Sequence, residues 1–359
     1  MKTEITSLDL LFLCRELQTL VGSRVDKIYR PDGFLFQLHK TGSGKLFLRT
    51  EKNAVWLAAA KTETPETPGG LCSTLRKYLE GKKLTSLEQV NGERILKLTF
   101  QTQQDTYSLY IELFSNGNIV LADEHGIVKA AQEERAWKDR EIKRGKPYAL
   151  PPAKKNFTQI SPADLDSTTP ISKHLATLGL GKTYAEELCL RAGTDPTSNS
   201  LTENERITLH AYLQKLLKEP ISAFAYPDGE ITPFALSGKT GTAYPSFSAA
   251  IDANLSKSAA LTKLEKSRAR FDSEKERIQN AITIQERTLT KINEDAAKQQ
   301  RAGELIYEHY QELKNILDQL HAAKKKHSLQ EIAQKLKGHA VIKHVNPKTQ
   351  EITVEITDD

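Results

Sequence analysis

Two Gly-Lys-Thr triplets, Gly181-Lys182-Thr183 and Gly238-Lys239-Thr240, are the first residues here with the look of a phosphate site. A phosphate-binding loop also needs a glycine five positions before the second one, so that backbone amides can close around the anion. Those positions hold Ala176 and Pro233, and a nucleotide-hydrolysing loop is not expected. The 9 histidines include no HxxxH pair on a helix face. The three cysteines, Cys14, Cys72 and Cys189, form no CxxC. Neither a metal site nor a cofactor follows, and reduced thiols are expected rather than a disulfide framework.

Two constellations remain. In LATLGLGKTYAEEL, a tight Gly179-Leu180-Gly181 hairpin joins two helices, the second beginning at Lys182. Such glycines let the backbone approach a phosphate, with amides and a helix N-terminus facing it. The same hairpin serves equally as a packing device, and the spacing leaves both open. The other constellation is LRKYLEGKKLTSLEQVNGERILKL, with Arg76, Lys77, Lys82, Lys83, Arg94 and Lys97. A solvated face is the plain explanation of such a run. Against it stands Glu93-Arg94, placed at a strand start beside an Asn91-Gly92 turn that can hold the pair rigidly.

The elements that position these residues change in kind along the chain. TSLDLLFLCRELQTL reads as a helix with Ser7 as its cap and Gly22 as its stop. VDKIYR, FLFQLHK, KLFLRT and AVWLAA alternate and are separated by turn residues, the pattern of a β-meander. KTETPETPGG is a loop, LCSTLRKYLEGKKL a helix ending near Gly81, and ERILKLTF, YSLYIELF and NIVLADEHGIV are strands again. Residues 1–160 are therefore expected as an α+β domain of mostly antiparallel strands. Residues 161–253 read as short helices with the glycine hairpin, then a short strand pair and an irregular connection.

From 254 to 327 the chain is highly charged. Apolar residues recur in 4-3 spacing at Leu264, Phe271, Ile278, Ile282, Leu289, Ile292 and Ala296, and the frame passes through Gly303 to Ile306, Tyr310, Leu313, Leu317 and Leu320. The spacing predicts one continuous helix of roughly 70 residues, about 105 Å long. Its seam, with Leu264, Phe271, Ile278, Leu289 and Ile292, is expected to be partly exposed, for want of a second heptad run to cover it. Residues 328–359 read as a helix capped by Ser328 and Glu331, then a hairpin, AVIKHV to EITVEI. A lone hairpin is marginal, and ending on one suggests a piece of a longer protein.

Composition narrows the class. Lys and Arg total 51 against 46 Asp and Glu, a net charge of +5, and 27% of residues are charged. That is mildly basic and decides nothing unless the cations cluster. Apolar runs such as LDLLFLC are too short to span a bilayer. The start, MKTEITSLDL, lacks the basic and apolar stretches of a signal peptide. A soluble cytoplasmic protein is expected, with no membrane contact.

At LVGSRVDKIYRPDG, LRKYLEGKKL, NGERILKL, IELFSNGNIVLAD, GKPYALPP, YPSFSAAIDANLSK, RAGELIYEHYQEL and HVNPKTQEITVEI the sequence resembles the NFACT family, the relatives of NEMF and RqcH. The resemblance runs nearly end to end. It implies a factor of ribosome-associated quality control that binds a large ribosomal subunit carrying peptidyl-tRNA, recruits charged tRNA and supports untemplated C-terminal tailing. It implies a first domain like the N-terminal fold of formamidopyrimidine-DNA glycosylases, a helix-hairpin-helix domain and a long coiled-coil helix. The tRNA contact is implied at Glu93-Arg94, where the family carries an Asp-Arg pair, on a cationic surface shared with Arg76 and Lys77. Gly179, Gly181 and Lys182 are the candidate contacts to RNA phosphates that the hairpin offers, with pure scaffold the equal alternative. Glycosylase chemistry is not expected, because Lys2 and Thr3 stand where those enzymes carry a catalytic proline and glutamate. The same resemblance implies no enzyme: peptide elongation would use the ribosome's own centre. The rival is a coiled-coil scaffold that self-associates through its seam without recruiting tRNA, with a surface adhesin behind it.

Overall fold

A computed structural model describes residues 4–61 and 69–356, and their side chains except those of 257–264 and 266. Lys2, Thr3, most of the 61–70 loop and the side chain of Leu264 lie outside the described residues. The chain divides into two compact units, Met1–Lys263 and Leu264–Asp359.

The first unit is built on a nine-stranded antiparallel sheet. Helix α1 (Ser7–Leu17) precedes β1 (Arg24–Tyr29), β2 (Phe34–Lys40), β3 (Gly44–Glu51) and β4 (Ala54–Ala58). Helix α2 (Gly70–Leu79) then leads to β5 (Lys83–Gln89), β6 (Ile95–Gln101), β7 (Thr106–Glu112), β8 (Asn118–Asp123) and β9 (Val128–Ala131). The strand order is β4-β3-β2-β1-β5-β6-β7-β8-β9, two meanders joined where Arg24 of β1 meets Lys83 of β5.

Strand β5 escapes the alternation rule because its register slips between Leu84 and Ser86. The bulge puts Leu84 and Leu87 on the buried side, a spacing of three that imitates a helix. The cap of α1 is also corrected. Thr6, not Ser7, accepts the Asp9 amide at 3.0 Å, and Asp9 answers by accepting the Thr6 amide at 2.7 Å.

Helix α3 (Ile171–Leu175) runs on through a wider turn, Ala176–Leu180, before α4 (Lys182–Ala192), and α5 (Glu203–Leu216) follows. These helices share the core of the sheet. Leu8, Phe12, Trp56 and Phe100 belong to the same buried cluster as Leu178, Tyr184, Leu213, Phe234 and Phe247. The segments 1–160 and 161–253 therefore have one continuous core, which places the glycine hairpin rigidly against the sheet domain.

Helix α6 runs Phe247–Glu308, 62 residues or about 93 Å. It starts earlier than its heptads do, because its first amides are capped from afar: Glu16 accepts from Phe247 and, at 2.9 Å, from Ser248. One turn on, Asp252 accepts from the Trp56 indole at 2.8 Å and the Ala59 amide at 3.0 Å. In the second unit the helix passes Gly303 unbroken, and the single helix expected to 327 is interrupted at His309 (φ −101°, ψ 21°) before α7 (Tyr310–Lys324). The bonds from the His309 amide to Leu305 and from Leu313 to His309, both 3.0 Å, survive the kink. Phe271, Ile278, Leu289 and Ile292 are 52–70% exposed. Helix α8 (Leu329–Lys335) carries the Ser328–Glu331 capping box, and a hairpin pairs Ile342–Asn346 with Glu351–Val354. Ile332, Ile342 and Val345 form its small core.

Candidate nucleic-acid interface

Glu93 and Arg94 are presented by a tight turn rather than by a strand. Between β5 and β6 the Glu93 amide donates to the Val90 carbonyl at 2.9 Å, with Asn91 and Gly92 both at positive φ (50° and 67°). Two successive left-handed residues are the geometry of a type I′ turn, which suits the twist of the strands it joins. Asn156, buried and 65 residues distant, locks the turn from below. Its side-chain amide donates to the Asn91 carbonyl at 2.6 Å, and its Oδ1 accepts from the Thr158 amide and hydroxyl at 3.0 and 2.6 Å. A Cβ on residue 92 would stand 2.7 Å from that oxygen, so glycine is required there for space as well as for φ.

Arg94 does not pair with Glu93. Its guanidinium lies 3.6 Å from Glu4, with the two side chains 31% and 60% exposed. Glu4 is steadied by the Asn53 amide at 2.9 Å. Such a partly exposed pair leaves the flat donor fork accessible and contributes about 0–1 kcal/mol to folding.

Glu93 and Arg94 line a cleft of ≈ 370 Å³ with Glu4, Lys154, Gly179 and Gly181 on its other sides. The structure thus brings together the turn pair and the hairpin glycines, two constellations far apart in sequence. Lys154 is exposed and has no ion-pair partner among the described residues, whereas Lys155 is held by Asp164. Lys182 begins α4 beside the cleft, with its side chain 85% exposed and a loose approach to Glu186 at 3.9 Å. Among the described residues no side chain caps the α4 N-terminus behind Gly181. The arrangement offers the Arg94 guanidinium and the Lys154 ammonium around one concavity, donors suited to phosphate oxygens.

The hairpin glycines also have a structural duty. Gly181 (φ 77°, ψ 167°) abuts the start of α1, where a Cβ would stand 2.6 Å from Thr6 Cγ2. Close backbone approach is therefore made here to the protein itself.

Arg76 and Lys77 are not part of this cleft, and the expected shared cationic surface is corrected. Arg76 donates to the Ile28 carbonyl at 2.7 Å, approaches Glu80 at 3.6 Å and lies over the Tyr29 ring. It ties α2 to β1. Helix α2 feeds the Lys83 end of β5, whereas the turn pair follows its other end, with about 23 Å of strand between. Glu4, Lys154 and Asn156 escaped sequence reasoning. Lys154 lies in the visible ALPPAKK run, but nothing local marks Asn156, whose partner is a carbonyl in another hairpin.

Buried thiols offer no chemistry. Burial and the neighbouring Glu88 push Cys14 up to about 12, and burial pushes Cys189 up to about 11. Among the described residues no group of three His, Cys, Asp or Glu could hold a metal, and no helix is long and apolar enough to cross a membrane.

The chain is similar throughout its length to the archaeal Rqc2 homolog aRqcH of Methanocaldococcus jannaschii, 28% identical over 100% of this chain and 59% of that protein. It is 37% identical to ribosome quality control complex subunit 2 of Saccharomyces cerevisiae, over 42% of this chain and 14% of that one. The chain thus spans about three fifths of the archaeal relative and a small part of the yeast one. Among solved structures it shares its fold with the N-terminal part of the fibronectin/fibrinogen-binding protein of Streptococcus suis (TM-score 0.60, 19% identity, 71% of this chain and 100% of that one). The fibrinogen binding protein of Staphylococcus aureus is a second such neighbour (TM-score 0.57, 20% identity, 69% of this chain and 97% of that one). Residues 6–355 match the family described as NFACT N-terminal and middle domains, and the chain belongs to that family.

Proposed function

We propose that this chain is a cytoplasmic adaptor of ribosome-associated quality control, binding the large ribosomal subunit with its peptidyl-tRNA and recruiting tRNA through the Glu93–Arg94 cleft. The observation that carries the reading is the turn itself: Asn156 and Gly92 fix an arginine whose fork, among the described residues, is held only by a half-exposed glutamate. An RNA phosphate or base edge can displace Glu4 at small expense and hold the fork through two parallel bonds, which lysine cannot imitate. Glu93 stands one methylene longer than the family's aspartate and either orients the arginine or meets the tRNA directly. Gly179, Gly181 and Lys182 supply phosphate contacts at the rim. Untemplated C-terminal tailing follows from tRNA delivery, with peptide bonds made at the ribosome's own catalytic centre and none at a site on this chain.

The test is Arg94→Ala. Losing the exposed pair shifts stability by about 0–1 kcal/mol. Losing a charge-assisted bond of about 1.5–3 kcal/mol weakens tRNA binding roughly 10- to 150-fold, and Arg94→Lys restores only part. Unaltered tRNA affinity alongside a large fall in melting temperature would make the residue purely structural.

A second reading is favoured by the exposed apolar residues of α6, Phe271 to Ile292: a scaffold that self-associates through its helix. Salt separates the two. Phosphate contacts weaken steeply as counterions compete, and apolar pairing does not.

A further inference from the structure

The cations of α2 that the Arg94 cleft leaves out line a concavity of their own. Lys77, with Thr74 and Tyr78 of the same helix, faces Lys129 of β9 and, beyond it, Arg144 across a cleft of ≈ 320 Å³, in which Glu134 is the one carboxylate among the described lining residues. Lys77 and Arg144 are exposed, and among the described residues neither has an ion-pair partner. Lys129 is balanced by Asp123 at 2.7 Å, so Lys77 and Arg144 against Glu134 leave the described lining with one net positive charge.

Aromatic rings stand beside these charges. Half-exposed Tyr78 packs on Tyr107 with ring centroids 5.3 Å apart. The Lys77 ammonium lies 5.6 Å from the first ring, and the ammonium 5.1 Å from the second, that of Lys82, is paired with Asp105 at 3.1 Å. Cations interleaved with ring faces are the composition of a nucleic-acid surface, where phosphates take the charges and bases the rings. An acidic peptide would use the charges and leave the rings idle. The platform is rigid, since α2 packs on both β1 and β9 and Arg76 pins it to Ile28.

We infer that the α2 cleft is a second RNA-backbone site, separate from the Arg94 cleft, so that the chain grips RNA at both ends of β5. The two sites are then able to hold two RNA molecules, or two parts of one, in a fixed relation.

The experiment uses the intact chain and the double variant Lys77→Ala/Arg144→Ala, titrated across a salt series against deacylated tRNA in one arm and purified large ribosomal subunits in the other. Both side chains are exposed, so thermal melting should match the parent, and Lys77→Gln/Arg144→Gln serves as a second variant should the first fold poorly. In at least one arm the slope of log affinity against log salt should become shallower by about 0.7–0.9 for each phosphate that is no longer neutralised. The tRNA arm would assign the site to tRNA and the subunit arm to ribosomal RNA. Because the clefts are well separated, the effect should add to that of Arg94→Ala. Unchanged slopes in both arms would overturn the inference, as would polyglutamate displacing RNA as well as unlabelled RNA does. An effect of the α2 variant with none from Arg94→Ala would refute the Arg94 reading and leave this one standing.

Discussion

Replacing Gly181 by alanine separates the two duties of the glycine hairpin. The residue sits at φ 77°, ψ 167°, a region open essentially to glycine, and holding a side-chain-bearing residue there costs about 1–3 kcal/mol. The new methyl would also stand 2.6 Å from Thr6 Cγ2 at the root of α1, where overpacking adds about 1–3 kcal/mol. The sum is about 2–6 kcal/mol, enough to lower the thermal transition of the first unit by several degrees. Thr6→Ser removes the offending methyl yet keeps the hydroxyl that accepts the Asp9 amide at 3.0 Å. The double variant Thr6→Ser/Gly181→Ala should therefore recover the steric half of the loss and none of the backbone half. Differential scanning calorimetry of the four proteins, with tRNA titrations beside it, provides the cycle. Unchanged melting in Gly181→Ala together with weakened tRNA binding would refute the packing argument, and so would the absence of any relief from Thr6→Ser.

Asn156→Ala should weaken tRNA binding nearly as much as Arg94→Ala although it lines the cleft from below, because the turn loses the bond that Asn156 donates to the Asn91 carbonyl and Thr158 loses the two it donates to Asn156. Its stability loss, about 1.5–4.5 kcal/mol at about 0.5–1.5 for each of three bonds, should be visible in urea melts. At the root of α6, Asp252→Ala strands the buried Trp56 indole N–H and should cost about 1–3 kcal/mol, with Asp252→Asn costing less in the same melts. The Lys155 ammonium, then the Ser161 amide and hydroxyl, hold Asp164 well below the usual carboxylate range. A depressed folded pKa means stabilisation that is complete above the ordinary value, near about 3.9, and lost as pH falls through the folded one. Parent and Asp164→Asn should accordingly differ in melting temperature at neutral pH and converge on acidification.

Most of the fold was legible because its signals are local. The alternation of β2 and β6, the Asn91-Gly92 turn and the Ser328–Glu331 box each lie within a few residues of the element they mark. The failures arise where one element is completed by another. Strand β5 was hidden by a bulge that turns a period of two into a spacing of three. The start of α6 was hidden because its cap, Glu16, belongs to α1. His309 interrupts a heptad frame that runs through it without a flaw in spacing. The candidate site divides in the same way. Glu93 and Arg94 were visible through their turn, and the glycines through their hairpin. That they line one cleft follows from the packing of α1 between them, which no spacing encodes. Arg76 was misplaced because a run of cations along the sequence says nothing of which pole of a strand each one reaches.

The central claim, that the Arg94 cleft recruits tRNA to a subunit the chain binds by other surfaces, is tested most directly by cosedimentation. Parent and Arg94→Ala would each be pelleted with large ribosomal subunits, with and without peptidyl-tRNA, in the presence of labelled tRNA. The account predicts that both proteins pellet with the subunits bearing peptidyl-tRNA, that labelled tRNA comes down with the parent, and that Arg94→Ala brings down markedly less. Equal recovery of tRNA with both proteins, or failure of the parent to pellet with subunits, would contradict it.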